Sequence, residues 1–182
     1  MKLPKIGQVR LKQHRSVPSE YRLKSVTVSQ TPSGKYYASI VFEYEDQVQE
    51  KKLHKFLGLD FSMYGLYRDS NGKEPAYPGY YRNAEKKLAR EQRKLSKMQK
   101  GSNNRNKQRL KVAKLHEKVS NQRKDFLHKW SRQTTNAYDC VCIEDLDMKA
   151  MLRSLNLGKS VSDNGWGMFI TFLKYKLEEC GW

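Results

Sequence analysis

Two acidic residues in this sequence stand inside or directly after short apolar runs, where carboxylates are unexpected. Asp60 lies inside the run FLGLDF (56–61), and Glu144 follows the run CVCI (140–143). Asp is disfavoured in strands, and an ionised group is costly to bury without a partner, so both positions need an explanation. If the two runs form neighbouring strands, the carboxylates converge, and two carboxylates that share a site favour a bound cation. Mg²⁺ (or Mn²⁺) suits such a site, because Mg²⁺ binds one or two carboxylates together with water and phosphate oxygens.

Other interpretations of these acids stay open. A single Asp or Glu at a strand edge is more often a turn, capping or exposed residue than a catalytic one. Asp145 and Asp147 compete with Glu144, and they are also suited to capping the segment around residues 148–152. The pairing of Asp60 with Glu144 therefore depends on whether their strands are neighbours.

The cysteines and histidines show no metal-binding pattern. Cys140, Cys142 and Cys180 include no C-x-x-C pair, so the sequence predicts no zinc site. Cys140 and Cys142 flank Val141, and we expect both to face one side of a strand and to pack in the core. Histidines 54, 116 and 128 indicate structural or exposed positions, whereas His14, in a basic run, indicates a surface or RNA contact.

The patterns along the chain indicate an α+β protein. Residues 21–30 and 35–45 predict a hairpin around the turn TPSG (31–34), and the basic run 5–14 predicts a third strand beside it. Further strands are predicted at 56–61 and 138–146. Residues 64–68 and 74–77 predict a second hairpin around Asn71-Gly72.

Three helices complete the pattern, and two of them carry most of the charge. Residues 82–99 and 104–135 predict a helical hairpin with a break at 101–104, and 166–179 predict a final amphipathic helix. Residues 82–132 hold 18 Lys and Arg against four acids, which is +14 of the total charge of +17. Charges of one sign cannot be neutralised by i,i+4 pairing, so this hairpin favours phosphate contact over a merely solvated surface. The candidate nucleic-acid contacts are the basic residues Lys86, Lys87, Arg90, Arg93, Lys94, Lys97, Arg105, Lys107, Arg109, Lys111, Lys114, Arg123 and Lys124.

Composition indicates which kind of partner this protein has. The isoelectric point is near 9.8 and the mean hydropathy is -0.89, which favours a polyanionic partner. A hydrophobic fraction of 37% still allows a packed core. No apolar run reaches the roughly 18 residues of a membrane helix, and the start MKLPK has no apolar signal core, so we expect no membrane partner and a soluble, cytoplasmic protein.

Several motifs, in order along nearly the whole chain, resemble the TnpB (OrfB-type) proteins of insertion sequences. These are RNA-guided DNA nucleases with a RuvC-like (RNase H fold) domain, and they are related to type V CRISPR effectors. The segments that carry the resemblance are PKIG (4–7), SGKYY (33–37), FLGLD (56–60), KDFLHKWS (124–131), CIEDL (142–146) and SDNGW (162–166).

The resemblance implies a domain plan and a chemistry. Residues 1–52 would be part of a wedge-type β-barrel, and 53–182 a RuvC-like mixed sheet with the basic helical hairpin (82–136) as an insertion. Asp60 matches the first catalytic acid of the family and Glu144 the second, with Mg²⁺ or Mn²⁺ as cofactor. Guide RNA and target DNA are the implied partners, and guide pairing would select the target sequence.

The family pattern continues past residue 182 into another strand, a zinc-binding segment and a third catalytic Asp. We therefore expect a chain truncated at both ends, with an incomplete sheet that a partner chain or a missing segment completes, and with reduced nuclease activity. One alternative is a non-catalytic RNA- or DNA-binding module with vestigial acids. Another is a basic protein that binds abundant RNA, although such a protein has no use for Asp60 and Glu144.

Overall fold

A computed structural model describes residues 2–45, 52–147 and 165–179, and the chain divides into two compact units. One unit comprises Met1–Thr31 and Lys35–Gln47, and the other comprises Pro32–Gly34 and Val48–Trp182. The strands are β1 (Lys2–Leu3), β2 (Gly7–Gln8), β3 (Arg22–Gln30), β4 (Tyr36–Glu43), β5 (Phe56–Phe61), β6 (Tyr67–Asp69) and β7 (Cys140–Ile143). The helices are α1 (Tyr80–Ser96), α2 (Asn103–Ala137) and α3 (Trp166–Glu178).

The first unit contains the predicted hairpin but not the predicted third strand. Strands β3 and β4 pair antiparallel from Arg22↔Glu43 to Gln30↔Tyr36, which confirms the hairpin. The prediction of a strand over residues 5–14 is wrong. Lys5 has a φ of 63° and Gly7 a φ of 87°, so the chain turns back on itself there and leaves only the two-residue strands β1 and β2.

The second unit is built on a three-stranded mixed sheet in the order β6-β5-β7. Strand β5 spans the predicted residues, runs parallel to β7 and runs antiparallel to β6. The predicted return strand at 74–77 is reduced to an isolated bridge between Gly65 and Ala76. Pro75 explains the difference, because it has no N–H to donate to a ladder.

The helices match their predicted positions within two residues at each end, apart from α1, which ends three residues earlier. Helix α2 begins after Ser102, whose hydroxyl accepts a hydrogen bond from the N–H of Arg105 at 3.2 Å. Gly101, with a φ of 83°, makes the turn between α1 and α2. No helix in the described parts of the chain is long and apolar enough to cross a membrane.

The core of this unit lies between one face of the sheet and the helices α2 and α3. Leu57 and Leu59 of β5 point to this side, because alternate residues of a strand share a face. They belong to one buried cluster with Leu127 of α2 and Phe169 of α3. Burial of each large apolar side chain contributes about 1.5–3 kcal/mol, so this cluster fixes β5 against the helices.

Strand β7 corrects the prediction for its cysteines. Val141 and Ile143 pack against the core, so Cys140 and Cys142 share the opposite face of the strand, as their spacing predicts. The prediction that both cysteines pack in the core is wrong for Cys142, which is exposed, while Cys140 is half-buried. Burial raises the pKa of the Cys140 thiol. The core takes the branched aliphatic residues of this strand and leaves the thiols on the side that carries Glu144.

Helix α3 buries a lysine that the apolar pattern did not predict. Lys176 is 3% exposed, and its ammonium donates hydrogen bonds to the carbonyl of His128 at 2.9 Å and to the hydroxyl of Ser131 at 2.5 Å. Burial lowers the pKa of Lys176 from its ordinary value. Spacings of four and three residues from Phe169 through Leu173 place Lys176 on the buried face, and this is the sequence signal that was missed.

Candidate two-carboxylate site and basic hairpin

The parallel pairing of β5 and β7 brings Asp60 and Glu144 together. The register pairs Leu59 with Ile143, so the next residues along the two strands, Asp60 and Glu144, stand side by side at the carboxyl edge. Neighbouring strands are about 4.8 Å apart, which sets the separation of the two backbones at this point. Both residues line one open cleft of about 530 Å³. The sequence predicted that Asp60 and Glu144 lie close together if their strands are neighbours, and β5 and β7 are neighbours.

A carboxylate at the other end of the strands fixes this register. Asp139 precedes β7, and its Oδ2 accepts hydrogen bonds from the backbone N–H groups of His54 at 3.1 Å and Lys55 at 3.0 Å. In return, the carbonyl of Lys55 accepts from the N–H groups of Asp139 and Cys140. Asp60 and Glu144 each lie five residues beyond this contact, on strands of equal rise. Sequence reasoning missed Asp139, although an Asp just before an apolar strand was the available signal.

The two carboxylates face solvent. Asp60 and Glu144 are exposed, and neither side chain forms a hydrogen bond or an ion pair with a residue of 2–45, 52–147 or 165–179. Over the same ranges, no group of three or more His, Cys, Asp and Glu side chains could hold a metal ion. Asp145 and Asp147 are also exposed and follow Glu144, outside β7, and the segment that they were expected to cap lies outside the described residues.

An arginine flanks the pair from the other side. Arg68 of β6 is the direct cross-strand partner of Asp60, so Asp60 stands between Arg68 and Glu144 on one face of the sheet. The carboxylate of Glu74 pairs with the Arg68 guanidinium at 3.8 Å and accepts a hydrogen bond from the hydroxyl of Ser62. Ser62 in turn accepts from the backbone N–H groups of Tyr64 and Gly65. This network was not foreseen, because no sequence spacing links residues 62, 68 and 74.

Gly65 is required by the close approach of this network. A Cβ at residue 65 would lie 2.8 Å from Cγ of Glu74 and 2.8 Å from the carbonyl oxygen of Pro75. The neighbouring N–H of Leu66 donates to the same carbonyl at 2.9 Å. Any larger residue would therefore displace the segment that carries Glu74 and Pro75.

The structure exposes most of the predicted nucleic-acid contacts. Eleven of the thirteen basic residues are exposed, and the exceptions are Arg105 and Arg123, which are half-buried. The Nε atoms of both arginines are buried. The other candidates stand on the surfaces of α1 and α2, so the hairpin presents a broad cationic surface to solvent.

A buried glutamate joins the two helices of this hairpin. Glu91 of α1 is 1% exposed, and its carboxylate accepts a hydrogen bond from Nε2 of Gln108 on α2 at 2.8 Å. Three cations surround it, namely Lys111 at 3.1 Å and Lys94 and Arg90 at 3.5 Å each. Hydrogen bonds from Gln108 and Lys111 lower the pKa of Glu91 to about 2. Glu91 therefore stays ionised and orients two lysines and an arginine of the candidate surface.

Fold and site together define a mixed α+β protein with two converging carboxylates and a strongly basic helical hairpin, a combination suited to a protein that acts on nucleic acid. The OrfB_IS605 family, described as "Probable transposase", matches residues 39–155. The chain belongs to this family, as the motifs of the sequence predict.

Two curated relatives extend this comparison. The chain is 32% identical over 168 residues to a protein of Streptomyces pristinaespiralis named "Putative RNA-guided DNA endonuclease", and the match covers 92% of this chain and 41% of that protein. It is 34% identical over 189 aligned residues to "Putative RNA-guided DNA endonuclease InsQ" of Escherichia coli (strain K12), with 96% and 46% covered. The chain thus spans less than half the length of the curated relatives it matches.

Proposed function

We propose that this chain provides the first two catalytic carboxylates and a nucleic-acid-binding surface of an RNA-guided DNA endonuclease with a RuvC-like fold. The observation that carries the proposal is the register of β5 and β7, which places Asp60 and Glu144 side by side. The names of the two relatives support the same reaction and the same partners, guide RNA and target DNA.

The donor set fits a hard divalent cation. Two exposed carboxylates on adjacent strands match the one or two carboxylates by which proteins hold Mg²⁺, and they leave room for water and phosphate oxygens. Asp60 and Glu144 would hold Mg²⁺ or Mn²⁺. When bound, the ion would supply Lewis-acid stabilisation of a phosphodiester and a more acidic water.

The residues of the chain have separate tasks in this proposal. Asp60 and Glu144 are open to solvent, so a phosphodiester can approach from the face of the sheet. Arg68 offers a cation beside Asp60, at the edge of the same cleft, where a phosphate of the bound strand would lie. Those hairpin cations that contact the nucleic acid bind its backbone phosphates without reading sequence, which leaves target selection to base pairing.

A cleavage assay with matched carboxylate variants tests the proposal. Labelled single- and double-stranded DNA is incubated with Mg²⁺ or Mn²⁺ and with the protein, retaining any RNA that co-purifies. We expect Asp60→Asn and Glu144→Gln each to abolish cleavage and to weaken Mn²⁺ binding in calorimetry. Asp145→Asn, which removes the adjacent exposed carboxylate, is the control. We expect it to leave cleavage and Mn²⁺ binding unchanged.

Two results would contradict the proposal. Equal cleavage by the wild type and both site variants would assign the activity to another protein in the preparation. Nucleic-acid binding by the wild type with neither cleavage nor Mn²⁺ binding that depends on Asp60 and Glu144 would leave a binding module derived from such a nuclease, which is the alternative that the basic hairpin supports.

A further inference from the structure

The helical hairpin has two distinguishable sides, which its interhelical contacts define. On one side, Glu91 contacts Gln108 and Lys111. On the other side, the amide of Gln92 lies 3.2 Å from Nε2 of His116. Glu91 and Gln92 are consecutive and so lie about 100° apart around α1, on either side of the apolar contact made by Leu88.

The Glu91 side of the hairpin carries more exposed charge than the Gln92 side. In α1, Lys87 and Lys94 are four residues before and three residues after Glu91, so they share its side of the helix. In α2, Lys107 and Lys118 are four residues before and seven residues after Lys111 and lie on the same side. The Glu91 side therefore carries five exposed lysines around one buried carboxylate.

The Gln92 side is nearly free of exposed charge. Helical spacing from Gln92 and His116 places Arg109 there as the one exposed charged residue among the described residues that share this side. Arg105 and Arg123 also fall on this side, but each is half-buried with its Nε atom inside the protein. The two sides thus differ in charge although they belong to the same two helices.

The basic side has dimensions that suit a nucleic-acid backbone. Lys107 and Lys118 are eleven residues apart, which corresponds to about 16 Å along α2, or about five phosphates of one strand. Glu91 holds Lys94 and Lys111 in the middle of this side, whereas Lys87, Lys107 and Lys118 pair with no residue in the described parts of the chain. Lysines without acidic partners need phosphates or counterions.

We propose that the Glu91 side of the hairpin is the surface that binds the nucleic-acid backbone, and that the Gln92 side faces away from it. This inference rests on the proposed function and adds to it the orientation of the hairpin relative to its ligand. Glu91 acts there as a positioning residue, because it fixes cations from both helices without contacting the ligand.

Two variants with equal loss of charge test the orientation. The first combines Lys87→Gln, Lys107→Gln and Lys118→Gln on the Glu91 side. The control combines Arg93→Gln, Arg109→Gln and Lys124→Gln, which are exposed residues of the Gln92 side and its outer edge. Binding of a labelled 25-nucleotide RNA is measured by fluorescence anisotropy over a series of salt concentrations, with helical circular dichroism to confirm that both variants fold.

We expect the first variant to bind on the order of tenfold or more weakly at moderate salt, and its slope of log K against log salt to fall by about 2–3. The control should change the slope by less than about 1. Equal losses in the two variants, or a larger loss in the control, would overturn the orientation. Unchanged binding in both would overturn it too, by placing the interface outside the hairpin.

The wild type separates this inference from the proposed function. A wild type that binds RNA but cleaves no DNA would fail as a nuclease while the comparison of the two variants still decides which side binds. A wild type that binds no RNA in low salt would overturn both.

Discussion

Leu57→Ala tests the alternation along β5 that places Asp60 on the exposed face of the sheet. Leu57 is 2% exposed and belongs to the core cluster, while its neighbour Phe56 points to the other face and is 58% exposed. Removing a buried Leu side chain costs about 2–5 kcal/mol, since the transfer free energy is lost and a cavity remains. For a chain of this size, each kcal/mol lowers Tm by about 2–4 °C.

The expected loss in Tm for Leu57→Ala is therefore about 4–20 °C, measured by circular dichroism at 222 nm. Phe56→Ala is the matched control, and we expect it to cost less than about 1 kcal/mol because more than half of that ring is already in water. Asp60 shares its face with Phe56, so the two results together report which way Asp60 points. Equal destabilisation by both substitutions would refute the reasoning, because Asp60 would then face a packed surface.

Three further predictions concern the stability of the same unit. The pKa of Glu91 is lowered to about 2, so the stability that its ionised carboxylate contributes is present above pH 4.5 and is lost as the pH falls toward 2. Over that range, the Tm of Glu91→Gln should therefore fall less steeply with pH than the Tm of the wild type. Because the pKa of Lys176 is lowered in the folded protein, the unfolded chain binds more protons than the folded one just below pH 10.5. The Tm of the wild type should therefore rise with pH in that range relative to the Tm of Lys176→Met. Parallel curves of Tm against pH for the two proteins would contradict this. Gly65→Ala should lower the free energy of unfolding by about 1–3 kcal/mol, because the new Cβ would contact the Pro75 carbonyl oxygen at 2.8 Å. Denaturant titration measures the loss, and a stability equal to that of the wild type would show that the segment around Pro75 moves freely.

Local patterns in the sequence were sufficient for most helices and strands. Strand β5 and the helices α1, α2 and α3 lie where hydrophobic periodicity predicts them, because each buries one face against the core. The errors fall on residues 5–14 and 74–77, where single backbone features decide the outcome. A positive φ at Lys5 and the missing N–H of Pro75 interrupt pairing in runs whose composition favours strands.

The two carboxylates of the candidate site, and the requirement that their strands be neighbours, were predictable from the sequence. The contacts that surround the two carboxylates were not. Asp60 and Glu144 were identified because carboxylates at the ends of apolar strands are unusual. The contacts of Asp139, Glu74 and Arg68 join residues 6 to 85 positions apart, and no local pattern reports such contacts.

The sequence by itself determined the charge of this protein, its family, the two carboxylates and the amphipathic helices, since these depend on composition and on spacing within one element. Tertiary structure decided that β5 and β7 are neighbours in parallel register, that the Cys142 thiol faces the cleft, and that Lys176 is buried. It also decided on which side of the hairpin the lysines gather around Glu91. The physical reason is that register and packing are set by many weak contacts between residues distant in sequence, whereas periodicity and charge depend only on the order and type of nearby residues.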